Sequence, residues 1–150
     1  MYTIGQVSEM FHIPVSTLRY YDKEGLFPGL ERASGIRRFG DAELEALRVI
    51  DCLKKSGLEI KDIRQFMQWC CEGSGTYGKR RELFERQRRV VEQQLRQMEK
   101  TLSMIRFKCW YYETARDAGT VQVPQSMSVE ELPPQFRNLK RDLAKVPIVD

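Results

Sequence analysis

A chain of 150 residues has room for one compact domain and an appendage, and 31% charged residues with a mean hydropathy of −0.51 suit a water-facing surface. No apolar run approaches the roughly 20 residues of a membrane span, and the amino terminus lacks the basic and apolar blocks of a secretory leader, so a cytoplasmic location without membrane contact is expected. The net charge of +4 suggests a polyanionic partner, yet residues 1–75 hold 10 Lys and Arg against 11 Asp and Glu, while residues 76–117 hold 11 against 6. The surplus therefore lies on a later segment. Local clusters weigh more than the total, because phosphate contacts act within a Debye length: Arg19 with Lys23, Arg37-Arg38, and Lys54-Lys55.

Thr3 is placed to cap a first helix over Ile4 to Phe11, with Val7, Met10 and Phe11 on one face. The turn His12-Ile13-Pro14 leads into a second helix that starts near Pro14-Val15, where proline is favoured, and closes at Gly25. Leu18 and Tyr21 are expected to face inward, leaving Ser16, Thr17, Arg19 and Tyr20 outside. Two short helices joined by a tight turn form a helix-turn-helix, whose second helix fits a DNA major groove. Arginine grips guanine or phosphate with two parallel hydrogen bonds, and hydroxyls and phenols suit phosphate oxygens that set the register.

Residues 26–40 are rich in turn formers, and the segments Leu30-Glu31-Arg32 and Ile36-Arg37-Arg38-Phe39 alternate apolar and charged side chains, which predicts a small hairpin. Its arginines would project beside the second helix as a wing. Asp41 is expected to cap a third helix with Leu44, Leu47, Ile50 and Leu53 on its apolar stripe, stopped by Gly57. Leu58 to Trp69 reads as a fourth helix with Ile60, Ile63, Phe66 and Met67 buried. Gly73-Ser74-Gly75 and Gly78 mark a linker, which sets a first domain at residues 1–75.

Residues 79–117 run without Gly or Pro, and as a helix would extend roughly 58 Å at ~1.5 Å per residue. Phe84, Val91, Leu95, Met98, Leu102, Ile105, Cys109 and Tyr112 follow one another at heptad spacing, interrupted by Arg88. This seam predicts a coiled-coil homodimer, with residues 76–118 as the dimerisation helix. The tail, residues 119–150, is proline-rich; a last short helix from about Pro134 to Lys145, carrying Leu139 and Leu143, is expected, with the rest as extended chain packed on the dimer or mobile. The fold class is thus mainly α.

No histidine-based acid/base pair, phosphate-binding glycine loop or catalytic triad pattern is present, so no enzymatic activity and no cofactor are expected. Redox catalysis would need a resolving thiol or a Cys-X-X-Cys pair. Cys52, Cys70, Cys71 and Cys109 match no zinc spacing, and no metal site is expected. A coiled-coil scaffold without DNA affinity is the alternative from another class, but it has no use for Arg19, Tyr20 and Arg37 on one surface.

Several segments together carry a family resemblance: Thr3-Ile4-Gly5-Gln6-Val7, Thr17-Leu18-Arg19-Tyr20-Tyr21-Asp22-Lys23-Glu24-Gly25-Leu26, Gly35-Ile36-Arg37-Arg38-Phe39 and Leu53-Lys54-Lys55-Ser56-Gly57-Leu58. The sequence resembles the MerR family of bacterial transcription regulators, in detail over about residues 1–70 and in architecture over 71–117. The resemblance implies a winged helix-turn-helix dimer joined by an antiparallel coiled coil. It also implies that an effector-bound dimer bends and untwists promoter DNA, so that RNA polymerase is engaged through the promoter. By that likeness Ser16, Thr17, Arg19 and Tyr20 contact DNA from the helix, Arg37 and Arg38 from the wing, and Lys54 clamps the backbone. Phe39 stands where the family often has tyrosine, which removes any phenol contact there.

The small-molecule effector stays open. Cys52 lies where an aldehyde- or thiol-reactive subgroup of the family carries a cysteine, with Lys55 as the neighbouring cation that would favour a thiolate; a small buried core residue is the other reading. Cys109 with Trp110, Tyr111 and Tyr112 is a second candidate, and in the family's antiparallel dimer the partner's Cys70 and Cys71 would approach it. A soft metal would bind such thiolates, but residues 113–150 lack the cysteine loop of the family's metal sensors. The aromatic residues Trp69, Phe107, Trp110, Tyr111 and Tyr112 suit an apolar pocket or the docking of the tail. Larger drug-binding relatives append a separate domain that a tail of this length cannot form.

Overall fold

The computed structural model describes residues 1–143. Seven helices, α1 (Ile4–Phe11), α2 (Val15–Lys23), α3 (Asp41–Lys55), α4 (Ile60–Glu72), α5 (Tyr77–Ala118), α6 (Gln122–Ser126) and α7 (Arg137–Leu143), accompany three short strands, β1 (Tyr2–Thr3), β2 (Glu31–Ala33) and β3 (Ile36–Phe39). The chain divides into two compact units, Met1–Val91 and Glu92–Asp150.

In the first unit, the Thr3 hydroxyl accepts from the Gln6 N–H while the Gln6 side chain accepts from the Thr3 N–H, which closes the start of α1 reciprocally. His12 adopts a left-handed conformation with φ 54°, and the Ser8 hydroxyl donates to the Ile13 carbonyl at 2.6 Å, so the turn into α2 is held from both sides. Gly25, at φ 76°, ends the α2 segment; its N–H donates to the Asp22 carbonyl and the Leu26 N–H to that of Tyr21.

The hairpin β2–β3 turns at Ser34-Gly35, both at positive φ, with Arg32 opposite Arg37 and Glu31 opposite Arg38. A two-residue strand also joins the sheet: β1 pairs with β3 through Tyr2↔Phe39 and Thr3↔Arg38. This third strand was not expected, because two residues carry no alternation to read. It ties the base of the wing to the start of α1.

The core gathers Val7, Leu18, Tyr21, Leu26, Phe27, Phe39, Leu44, Leu47, Ile50, Leu53, Leu58, Ile63 and Leu83. Phe27 and Phe39 meet edge to face at 5.5 Å. Several expectations need correction. Met10 is exposed and not part of the α1 core face. Asp41 is the first residue of α3 and not its cap; the cap is Gly40, whose N–H donates to Glu43 Oε2 at 2.9 Å. Helix α4 begins at Ile60 and runs on to Glu72; of its expected buried set Ile63 is fully covered, while Ile60, Phe66 and Met67 are partly so.

The glycine-rich linker ahead of α5 is a defined joint. A 3-10 turn over Ser74–Thr76 runs straight into the helix. The buried Thr76 hydroxyl donates to the carbonyls of Trp69 or Gly73, each at 2.8 Å, and Arg80 donates to the same two carbonyls at 2.8 and 2.9 Å. These carbonyls also accept the N–H groups of Gly73 and Thr76, and the partial negative charge at a helix C-terminus attracts a cation, which explains the place of Arg80. Leu83 then enters the core, Phe84 meets Phe66 edge to face at 5.3 Å, and Gln87 donates to the Ser56 carbonyl at 2.8 Å.

In the second unit, the tail folds onto α5. Phe107, Leu132 and Phe136 are buried together, with Trp110, Tyr111, Met127 and Leu139 packed against them. Phe136 lies 5.6 Å from the Phe107 ring and 5.8 Å from that of Trp110. Arg137 donates to the Leu132 and Glu130 carbonyls, and Lys140 to that of Met127. The tail is therefore folded rather than extended. Helix α7 lies within the predicted last helix, whose end at Lys145 falls outside the described residues.

Candidate nucleic-acid interface

Ser16, Arg19, Tyr20 and Lys23 are all exposed on α2, at spacings of three, four and seven residues, which places them on one helix face. Leu18 and Tyr21 point the other way, at 0% and 7% exposure, and pin that face outward. Thr17 is half-buried beside it. Burial pushes the Tyr21 phenol above its ordinary value of 10.0, with the Asp51 carboxylate and Tyr20 adding to the effect.

The wing stands against this helix through one carboxylate. Asp22 Oδ2 accepts from Arg37 Nε at 2.7 Å and from Arg32 Nη2 at 2.8 Å. Arg37 is thus not a free projecting cation: its guanidinium is held at Nε, whereas Arg38 is half-buried on the other face of β3. Sequence reasoning passed over Asp22 and Arg32. The available signal was the hairpin register, which sets two arginines opposite one another and calls for an acid nearby. Lys54 and Lys55 are exposed in the last turn of α3.

Cys52 is exposed on α3, which overturns the reading of it as a core residue. Lys55 Nζ bonds Asp51 Oδ2 at 2.6 Å, and this hydrogen bond, with the charge of Asp51, raises the Lys55 pKa above its ordinary 10.5. The cation assigned to the thiol is therefore engaged by its other neighbour. The aromatic candidates divide between the units: Trp69 packs on the first core, while Trp110 lies under the tail. Cys71, Cys109 and Tyr112 are exposed. Among the described residues, no group of three or more His, Cys, Asp or Glu side chains could hold a metal ion, and no helix is long and apolar enough to cross a membrane.

Residues 2–69 match the model of the MerR HTH family regulatory proteins. An uncharacterized HTH-type transcriptional regulator of Haemophilus influenzae is 35% identical over 131 residues, which cover 87% of this chain and 97% of that protein. The chain belongs to the MerR family. Its members are DNA-binding transcription regulators, and the matched residues 2–69 include α2 and the wing hairpin. Among solved structures, HiNmlR, a MerR family regulator lacking the sensor domain and bound to promoter DNA, is 36% identical, with a TM-score of 0.65 over 81% of this chain and 98% of its own. A MerR family regulator from Bacillus thuringiensis is 44% identical, with a TM-score of 0.59 over 72% of this chain and 96% of its own.

Proposed function

We propose that this MerR family chain works as a homodimer that presents two α2 faces to one promoter duplex in the cytoplasm and distorts it when an effector is bound. The observation that carries the DNA-contact assignment is the single exposed face of Ser16, Arg19, Tyr20 and Lys23 beside a wing fixed to the same helix by Asp22. Arg19 and Tyr20 reach base edges and phosphates, Ser16 and Thr17 fix the register, Arg37 grips the backbone from the wing face beside α2 and Arg38 from the opposite face of β3, and Lys54 holds it from α3. Bending costs on the order of 1–6 kcal/mol, offset by contacts that only distorted DNA allows. RNA polymerase is then engaged through the reshaped promoter.

The dimer reading is supported by the apolar seam of α5. Phe84, Val91, Leu95, Met98, Leu102, Ile105 and Tyr112 are between 41% and 67% exposed in the isolated chain, and a row of that size on one helix calls for a covering surface. A second copy offers the same heptad pattern. The family's antiparallel arrangement gives the pairing direction.

Gel-shift titration with the promoter upstream of the chain's own gene tests the surface. Arg19→Ala and Arg37→Ala should each weaken binding at least about tenfold, the value of one charge-assisted hydrogen bond, while leaving sedimentation unchanged. Wild-type affinity in both variants would reject the assigned face. For the effector, the exposure of Cys52 favours a reactive thiol. Cys52→Ala should then abolish transcriptional induction by reactive carbonyls, and a full response in that variant would remove Cys52 from the mechanism.

A further inference from the structure

We propose that Asp22 is a positioning residue for DNA binding: it aims Arg37 at the phosphate backbone and holds the wing in register with α2. The inference rests on the reading of Arg37 as a DNA contact. Arg32 and Arg37 face each other across the hairpin, and two like charges so placed repel and would splay the wing arginines apart. A single oxygen of Asp22, on the adjacent helix, accepts from both. The carboxylate is 12% exposed and the Arg37 side chain 23%, so the bond is shielded from the water that weakens surface pairs, while Arg32 is 51% exposed and contributes less.

The geometry explains how an acid can serve binding to a polyanion. Asp22 takes the Nε–H of Arg37, the inner edge of the guanidinium. The outer edge, with its two terminal nitrogens, keeps the forked geometry that suits a phosphate. Fixing the inner edge removes rotamers that would otherwise be lost on binding, so the outer edge meets DNA already oriented. Asp22 and Arg19 are three residues apart, so the helix that carries the reading face also aims the wing.

This role predicts an effect opposite in sign to that of charge alone. Removing a carboxylate beside a phosphate backbone should tighten binding by simple Coulomb attraction. If Asp22 positions Arg37, Asp22→Asn instead weakens binding to the promoter duplex by about tenfold. It should also reduce the slope of log Kobs against log salt by about 0.9, the loss of one phosphate contact. Arg37→Ala should show the same two changes, and the double variant should be no weaker than Arg37→Ala within about twofold. Asp22→Glu, which keeps the carboxylate, should bind within about threefold of the wild type.

If Arg37→Ala weakens binding but Asp22→Asn is neutral or tighter, or the two effects add, the positioning role is wrong and the Arg37 contact stands. An Asp22→Glu variant as weak as Asp22→Asn also overturns the role. If Arg37→Ala binds normally, the wing contact and the Asp22 inference fall together. Circular dichroism melting of each variant separates loss of fold from loss of contact, since the salt slope is read only on folded protein.

Discussion

At the residue scale, Tyr21 shows how one position divides between two duties. Its ring closes the core while its neighbours Tyr20 and Asp22 stay on the functional side. Burial raises its pKa, so the folded chain keeps the phenol proton to a higher pH than the unfolded chain does. The unfolded state therefore loses the proton first, and stability that is complete below about pH 10 falls as pH rises beyond it. Tyr21→Phe removes the titrating group, so the melting midpoint of the variant should decline less steeply between pH 9.5 and about 11 than that of the wild type. Parallel curves would mean that the phenol is not shielded as described. The sequence made Tyr21 legible as an inward residue through helical spacing against Leu18. Asp22 was not legible, because its partners lie ten and fifteen residues away and only the hairpin register brings them together.

At the scale of elements, helices with a strong apolar stripe were readable and their ends were less so. The stripe of α3 appeared as expected in Leu44, Leu47, Ile50 and Leu53. Its cap moved from Asp41 to Gly40 because Glu43 reaches back to the Gly40 N–H, and no side chain is then required at the cap itself. The linker expected at Gly73-Ser74-Gly75 and Gly78 is a structured joint for a related reason. Three glycines within six residues favour flexibility, yet Thr76 and Arg80 donate to the carbonyls of Trp69 in α4 and of Gly73 at its C-cap and turn the segment into a bracket. Arg80→Ala should destabilise the first unit by about 1–3 kcal/mol, because two carbonyls lose a charged donor. Alanine is itself a strong helix former, so a loss cannot come from helix propensity. A chemical-denaturation shift below about 0.5 kcal/mol would show that water replaces the arginine without cost.

For the whole molecule, family, fold class and the exposed α2 face were all accessible from short motifs, and docking of the tail on the α5 aromatic residues was one of two expectations for them, while the tail's path before Pro134 was not legible. Pro124 and Pro133 read as extended chain, but Pro124 is buried in α6, while Pro134, expected to open the last helix, opens a 3-10 turn that delivers Phe136 to the aromatic face of α5. The proposed seam rests on repeated spacing, and its residues are exposed on α5. Ile105→Glu places a charge where the proposed pair would bury it, so sedimentation should find monomer at concentrations where the wild type is dimeric. A wild-type profile would place the contact elsewhere on the helix.

Phe107, Trp110, Tyr111 and Ala115 turn one way from α5, whereas Ile105, Cys109 and Tyr112 turn roughly half a revolution away, at ~100° per residue. The distal helix is thus greasy on both flanks, and its own carboxy-terminal segment upholsters one of them. Strip that upholstery, and the rod would carry two adhesive sides that do not mate with each other. Objects of that kind stack laterally without an end point instead of closing as pairs. If two chains pair along the seam as proposed, the tail's contribution would be to keep that pair from growing into a filament.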